Sequence, residues 1–395
     1  MKNRSPKRIY LDYAASTPID KRVIRATEKV QTAAWANASS LHQEGGLSKN
    51  ILEQARIRAA RVLQCKKSNI LFTSGGTESC NIAIQGVVRK SKNKLPHIIT
   101  STIEHPAVLE PIKNLVVRGE AEVSFVAPNE EGIINPESIK RELKETTVLV
   151  AIMYANNEIG TIQPISKISA VIREFKSHNS YPIIHTPYLF VDASQGVLFE
   201  DVSLDRLGAD LIALDGIKMY GPRGVGLLVM RHGVEISPVF FGGGQEGGLR
   251  SGTENAIGAV GIAEALEIAK KMREKESKRL TDLRDYAISK ILKEFPNSSL
   301  NGSKEKRLPN NINICFASPK HDSEFLVIKL DTLGFSVSAA SACNTLSLEN
   351  SSYVIEALGK PACAGSSLRF TLGRSTKKSD LDELIVALKK VVTFS

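Results

Sequence analysis

Residues 209–230 read ADLIALDGIKMYGPRGVGLLVM, and the way this stretch is parsed decides the fold. Asp210–Leu214 is a buried strand, Asp215-Gly216 a turn, Gly221-Pro222-Arg223-Gly224 a second turn, and Val225–Met230 another apolar strand. Between the turns stands Lys218, the only lysine from Lys176 to Lys270. A lysine pinned at the mouth of a core strand loses solvation and can act as an amine nucleophile. Upstream, residues 189–195 (LFVDASQ) form a further apolar strand that ends in an acid, Asp192.

Working outward, strands and helices alternate from residue 70 to residue 230. Such repeated βα units predict a mostly parallel sheet with helices on both faces, and about seven strands can be counted. Chemistry-bearing residues fall at the strand ends, where open α/β sheets bind ligands. Residues 72–79 (FTSGGTES) are a strand, a glycine turn and a helix start, and helix N-termini bind anions. Residues 102–108 (TIEHPAV) place His105 after a strand, and residues 155–160 (ANNEIG) place Asn157 after another. The glycine-rich run 242–255 (GGGQEGGLRSGTEN) is read as a loop laid against another surface. Helical patterns at 256–275 and 277–294 lead into smaller α+β structure, with strands near 311–315, 335–337 and 367–371 and a closing helix at 379–392.

Length and composition bound the class. The chain has 395 residues, 42% hydrophobic, enough for one large core and for two domains. The formal charge is +10, but no Arg/Lys run exceeds two residues and aromatics do not interleave with the basic residues. Direct nucleic-acid binding is therefore not expected. No apolar run has the length of a membrane span, and no apolar segment follows the basic N-terminus, so a cytoplasmic location is expected. The five cysteines, Cys65, Cys80, Cys315, Cys343 and Cys363, are odd in number and scattered without a CxxC pair. That spacing argues against a disulfide framework and against a metal site, and for a reducing compartment. Cys65 and Cys315 sit in apolar patterns, whereas Cys343 lies in a small-residue, polar loop, 338–347 (SAASACNTLS).

Together these stretches resemble the cysteine desulfurase family of class-V aminotransferase-like enzymes, from about Ile9 to Lys389. The opening 10–18 (YLDYAASTP) is similar to YLDYAATTP, the loop at Cys343 to SGSAC, and 366–374 (SSLRFTLGR) to SSIRFSLGR. The resemblance implies a fold-type I pyridoxal-phosphate enzyme: a large domain at 16–255, with a smaller α+β domain made of 1–15 and 256–395. It also implies pyridoxal 5'-phosphate held covalently by Lys218, with Asp192 on the ring nitrogen, His105 flat against the ring and catalytic through a second role in proton transfer at the substrate Cα, and Asn157 and Gln195 at the ring oxygen. Gly76 and Thr77 would hold the phosphate, joined by Thr253 from the second subunit of a homodimer. Arg369, and Asn157 with it, would bind the carboxylate of L-cysteine, since a guanidinium fork suits a carboxylate. Cys343 would take the sulfur as a persulfide and release alanine, passing sulfur to an acceptor protein such as an iron–sulfur scaffold or a tRNA-thiolation protein. Selenocysteine lysis, another β-elimination, or a binding scaffold with weak cofactor affinity are the alternatives.

The chain departs from the family pattern in four places. Position 38 is Ala where a proline is usual, and Gly247 stands where arginine is frequent. One extra residue separates Cys343 from Tyr353, with Asn350-Ser351 replacing a proline. Before the lysine, the family's S-x-H-K becomes Asp215-Gly216-Ile217-Lys218, which loses two phosphate donors and brings in a carboxylate.

Overall fold

The structure is a computed structural model that describes residues 8–178, 187–316, 322–339 and 351–392. Its centre is a seven-stranded sheet in the order Ile70–Thr73, Gly226–Met230, Leu211–Asp215, Tyr188–Asp192, Thr147–Ala151, His97–Ser101, Glu122–Val126. Only Gly226–Met230 runs antiparallel to its neighbours. The remaining pairs are parallel.

The central strands read as unbroken apolar runs because both faces are covered. Leu211 and Ala213 pack into one core with Ile82, Ile84, Val108 and Ile112, from the helices Gly76–Lys90 and Pro106–Val117. Ile212 and Leu214 point to the opposite core, with Leu52 and Ala59 of Gln43–Val62 and Ile262 and Leu266 of the helix that follows residue 255. The two-residue alternation along one strand thus feeds two separate cores.

A second sheet of four antiparallel strands, in the order Ser338–Ala339, Ser367–Thr371, Asn311–Cys315, Ser299–Leu300, lies in the C-terminal part. The first strand of the chain, Ile9–Tyr10, pairs in parallel with Phe335–Ser336, so the N-terminus is tied to the C-terminal part before it enters the cleft.

Two expectations are corrected here. The segment 256–294 is one continuous 39-residue helix, Ala256–Glu294, not two. Its buried residues stop at Ala269 and resume at Leu280, and the polar stretch between them was read as a break although no Gly or Pro interrupts it. The second correction concerns the cysteines: Cys315 and Cys363 form a disulfide, with Cα atoms 5.3 Å apart. Cys315 is paired in register with Ser367, and Cys363 lies in the short helix Pro361–Ala364 just before that strand. Antiparallel pairing brings the two thiols together across 48 residues of sequence. Cysteine spacing therefore carries no argument about compartment in this chain. No helix among the described residues is long and apolar enough to cross a membrane.

Candidate active site

The lysine turn is built by capping and by a lacing strand. The Asp215 side chain caps the single 3-10 turn Gly216–Lys218, where Oδ1 accepts from Ile217 N–H at 3.1 Å. Gly216 N–H returns to Val225 O at 3.0 Å, closing the turn onto the next strand. Thr17, from the N-terminal segment, donates to Ile217 O through both its N–H, at 3.0 Å, and its hydroxyl, at 2.7 Å. Tyr220 then adopts a positive φ of 60°, an uncommon conformation for a bulky residue. It is held there by Thr17 Oγ1, which accepts from Tyr220 N–H, and by the Arg374 guanidinium, which stacks on the ring at 3.9 Å. Strain of this kind persists where surrounding contacts over-determine the backbone. It aims the Lys218 ammonium at the carbonyls of Ala14 and Ala15, to which it donates at 2.9 and 2.7 Å.

One cleft gathers Lys218 with Gly76, Thr77, His105, Asn157, Asp192 and Gln195. Met153, Ala155 and Ser194 also line it. Asp192 ends its strand and accepts from Ser194 N–H at 3.0 Å, which fixes the carboxylate at the mouth of the sheet. Gln195 donates to Ala14 O at 3.0 Å. His105 caps the helix Pro106–Val117, its Nδ1 accepting from Ala107 N–H at 3.1 Å. Burial lowers the His105 pKa, and the Nδ1 lone pair is already used, so the neutral ring carries its proton on Nε2. Asn157 is buried, and its backbone carbonyl accepts from Arg369 Nη1 at 3.0 Å.

The anion end of the cleft is the turn before the helix Gly76–Lys90. A Cβ on Gly226 would meet the Gly75 backbone at 2.6 Å, so only glycine lets the antiparallel strand approach this turn. The Asp215 carboxylate reaches into the turn, where Oδ2 accepts from Gly76 N–H at 3.0 Å. Arg223 does not compensate, because its guanidinium donates to Ser16 Oγ.

With this geometry in view, known proteins can be compared. The class-V aminotransferase family matches residues 9–384. Cysteine desulfurase IscS of Dictyoglomus turgidum is 41% identical over 387 residues, spanning 98% of this chain and 95% of its own. Among solved structures, a NifS-like protein superposes with a TM-score of 0.89 at 32% identity, over 98% of this chain and 100% of that one. SspA in complex with cysteine does so with a TM-score of 0.77 at 33% identity, over 92% and 98%. This chain belongs to the cysteine desulfurase family.

Cysteine desulfurases as a family imply pyridoxal 5'-phosphate, and the donor set can be tested against it. At the ring end Lys218, Asp192, His105, Asn157 and Gln195 supply an amine, a carboxylate, a flat neutral ring and two amides around one cleft, which suits a pyridine ring with a phenolic oxygen. At the phosphate end Thr77 is exposed to the cleft, but Gly76 N–H is already engaged by Asp215. The ring end fits as it stands, and the phosphate end fits once Asp215 withdraws.

Two predicted site residues lie elsewhere, and a third is not described. Arg369 is fully buried beside the cleft, not in it; Nη2 pairs with Asp12 Oδ1 at 2.8 Å, and Nε is buried without a hydrogen bond. Thr253 is exposed and away from the cleft of its own chain. Cys343 lies outside the described residues. Residues 37–42 do not line the cleft, and Ala38 and Ser39 border a separate groove beside Gly243–Gly247.

Sequence reading missed Asp12, Ser194 and the Ala14 and Ala15 carbonyls. The signals were present inside two quoted motifs, 10–18 and 190–195, but side chains facing a partner so distant in sequence leave no local period.

Two buried carboxyls lie next in sequence to the cleft residues His105 and Asn157. Glu104 accepts from Ser101 Oγ at 2.5 Å, and its pKa is pushed up to about 8 by burial. Glu158 accepts from Ser352 Oγ at 2.5 Å, and its pKa is raised to about 7, again by burial. Ser352 caps the helix Tyr353–Ala357, and the Tyr353 hydroxyl donates to Glu104 O at 2.6 Å. Both carboxyls bind a proton more tightly folded than unfolded, so the stability they contribute is full below the ordinary carboxyl pKa and is lost as pH rises through 7 to 8. Between pH 6 and 8.5, Glu104→Gln should gain roughly 2 kcal/mol relative to the native chain. Urea midpoints of both proteins at the two pH values check this; an offset that does not change with pH would place the ionisation elsewhere.

Proposed function

We propose that this cleft converts L-cysteine to L-alanine and leaves the sulfur as a persulfide on Cys343. The observation that carries the reading is the convergence of Lys218, Asp192, His105, Asn157 and Gln195 on one cleft at the ends of the parallel strands. Pyridoxal 5'-phosphate, when bound, supplies an electron sink for charge developing at the substrate Cα.

The chain's own groups do the rest. With the cofactor bound, Asp192 would hold a proton on the ring nitrogen, and the neutral His105 would face the ring without adding charge and could move a proton at the substrate Cα. Asn157 and Gln195 orient the ring oxygen. Lys218, the one amine in the cleft, takes the Cα proton and later returns a proton to carbon. Arg369 lies behind Asn157, paired with Asp12, and would take the substrate carboxylate once that pairing is given up and the guanidinium turns into the cleft. The Cys343 thiolate attacks the substrate sulfur: an S–S bond forms, the Cβ–S bond breaks with its electron pair staying on the substrate carbon, and a proton on Cβ completes alanine.

The persulfide then passes to a sulfur-acceptor protein, an iron–sulfur scaffold or a tRNA-thiolation protein, in the cytoplasm. The working unit is a homodimer in which Thr253 reaches the neighbour's phosphate. The loop that carries Thr253 is held to the body by Glu246, whose carboxylate pairs with Arg56 at 2.6 Å and accepts from Phe72 N–H at 3.0 Å, which leaves Thr253 projecting. The chain divides into a large cofactor-binding domain at 16–255 and a smaller one of 1–15 and 256–395.

An absorption spectrum of the purified protein tests the reading. A visible cofactor band that shifts on adding L-cysteine, with alanine released, is the expected result. A protein without such a band, which gains none when the cofactor is added, would be a scaffold instead.

A further inference from the structure

The family's phosphate turn already holds an anion in this chain, and that anion is a side chain. Asp215 Oδ2 accepts from Gly76 N–H at 3.0 Å, while Oδ1 stays on Ile217 N–H at 3.1 Å, so the carboxylate bridges the helix start and the lysine turn. The fit is close. A Cβ on Gly76 would lie 3.2 Å from both Asp215 Cβ and Oδ2, and 3.4 Å from Ser194 Oγ. Among the described residues no ion pair is made by Asp215, and the Arg223 guanidinium reaches Ser16 Oγ instead. The helix Gly76–Lys90 has 15 residues, long enough for its N-terminus to favour negative charge, and the carboxylate takes that place.

We propose that Asp215 is a built-in competitor for the cofactor's phosphate, and that it sets how strongly the site distinguishes pyridoxal 5'-phosphate from pyridoxal. The inference rests on the assignment of the cleft as the pyridoxal-phosphate site. To seat a phosphate at Gly76 and Thr77, the carboxylate must leave Gly76 N–H and lie beside a dianion. Pyridoxal has a neutral hydroxymethyl group in place of the phosphate, so it requires neither movement nor repulsion. A hydroxyl can also donate to the Asp215 carboxylate, which a phosphate dianion cannot do. The result is a site that loses most of the affinity a phosphate ordinarily confers and exchanges its cofactor readily.

The test is an absorbance titration of the full-length chain, stripped of cofactor, with pyridoxal 5'-phosphate and separately with pyridoxal. Three proteins are compared: the native chain, Asp215→Asn and Asp215→Ser. Asn keeps one acceptor oxygen, enough for Ile217 N–H or for Gly76 N–H but not for both, and removes the charge at nearly unchanged shape, so it stands beside Ser as the closer mimic of the native fold. Ser removes the charge, frees the seat and can donate to phosphate. Pyridoxal 5'-phosphate should bind at least tenfold more tightly to Asp215→Ser, about 1.4 kcal/mol, and severalfold more tightly to Asp215→Asn. Affinity for pyridoxal should stay within about twofold of native in Asp215→Asn. Equal affinity of all three proteins for pyridoxal 5'-phosphate would overturn the competition, and so would an equal gain for both ligands, since the effect would then not lie at the phosphate. Binding of neither ligand by any of the three would remove the cofactor assignment itself, and the inference with it, an outcome distinct from tight and equal binding.

Discussion

Replacing Lys218 with alanine is expected to abolish borohydride-trappable cofactor and to lower cysteine turnover by about four orders of magnitude, roughly 5 kcal/mol of barrier. The size follows from position. Among the described residues Lys218 is the one amine lining the cleft, and its ammonium donates to the Ala14 and Ala15 carbonyls from a turn capped at both ends. No neighbouring lysine in sequence can substitute, because none lies between Lys176 and Lys270. The lysine is not part of either core, so the variant should fold, with an unchanged thermal midpoint and oligomeric state. Mass spectrometry of the reduced, digested native protein decides the assignment. Label found on any other lysine would reject Lys218.

Cys343→Ser should keep the cofactor spectrum and its response to L-cysteine and yet form no persulfide, a loss limited only by the detection of labelled sulfane sulfur. A serine hydroxyl at neutral pH is neither ionised nor a soft nucleophile toward sulfur, whereas a thiolate is both. Among the described residues, the cleft is lined by Ala14 and by residues between Gly76 and Lys218. Binding and sulfur transfer should therefore separate in the variant. Undiminished alanine release with a reductant present would reject Cys343 as the sulfur acceptor and favour direct elimination.

Several features were legible in the sequence because they are local. A strand followed by a glycine turn and a helix, at 70–90, and a strand that ends in an acid, at 188–192, each carry their own period and their own stop signal. From such stretches the seven-stranded, mostly parallel sheet could be read, and seven of the residues that line the cleft were named from the resemblance of the quoted motifs. The partners of those residues were not legible. Arg369 and Asp12 are paired across 357 residues, and Ser352 and Glu158 across 194. The Cys315–Cys363 bond is set by the register of the antiparallel strands Asn311–Cys315 and Ser367–Thr371, and spacing between cysteines says nothing about register. The single helix Ala256–Glu294 looked like two because its solvated middle lacks the apolar stripe that its packed ends possess.

By itself, then, the order of residues determined the fold class, since short-range periodicity and turn chemistry encode strands, helix starts and their ends, while the family and the residues that meet in the cleft followed from the resemblance of its motifs to those of cysteine desulfurases. Only the tertiary structure decided which way the Asp215 carboxylate points. An aspartate three residues before the lysine could equally face solvent; it faces Gly76 because the Ile70–Thr73, Gly226–Met230 and Leu211–Asp215 strands are neighbours, which sets the lysine turn against the helix start within a hydrogen bond's length.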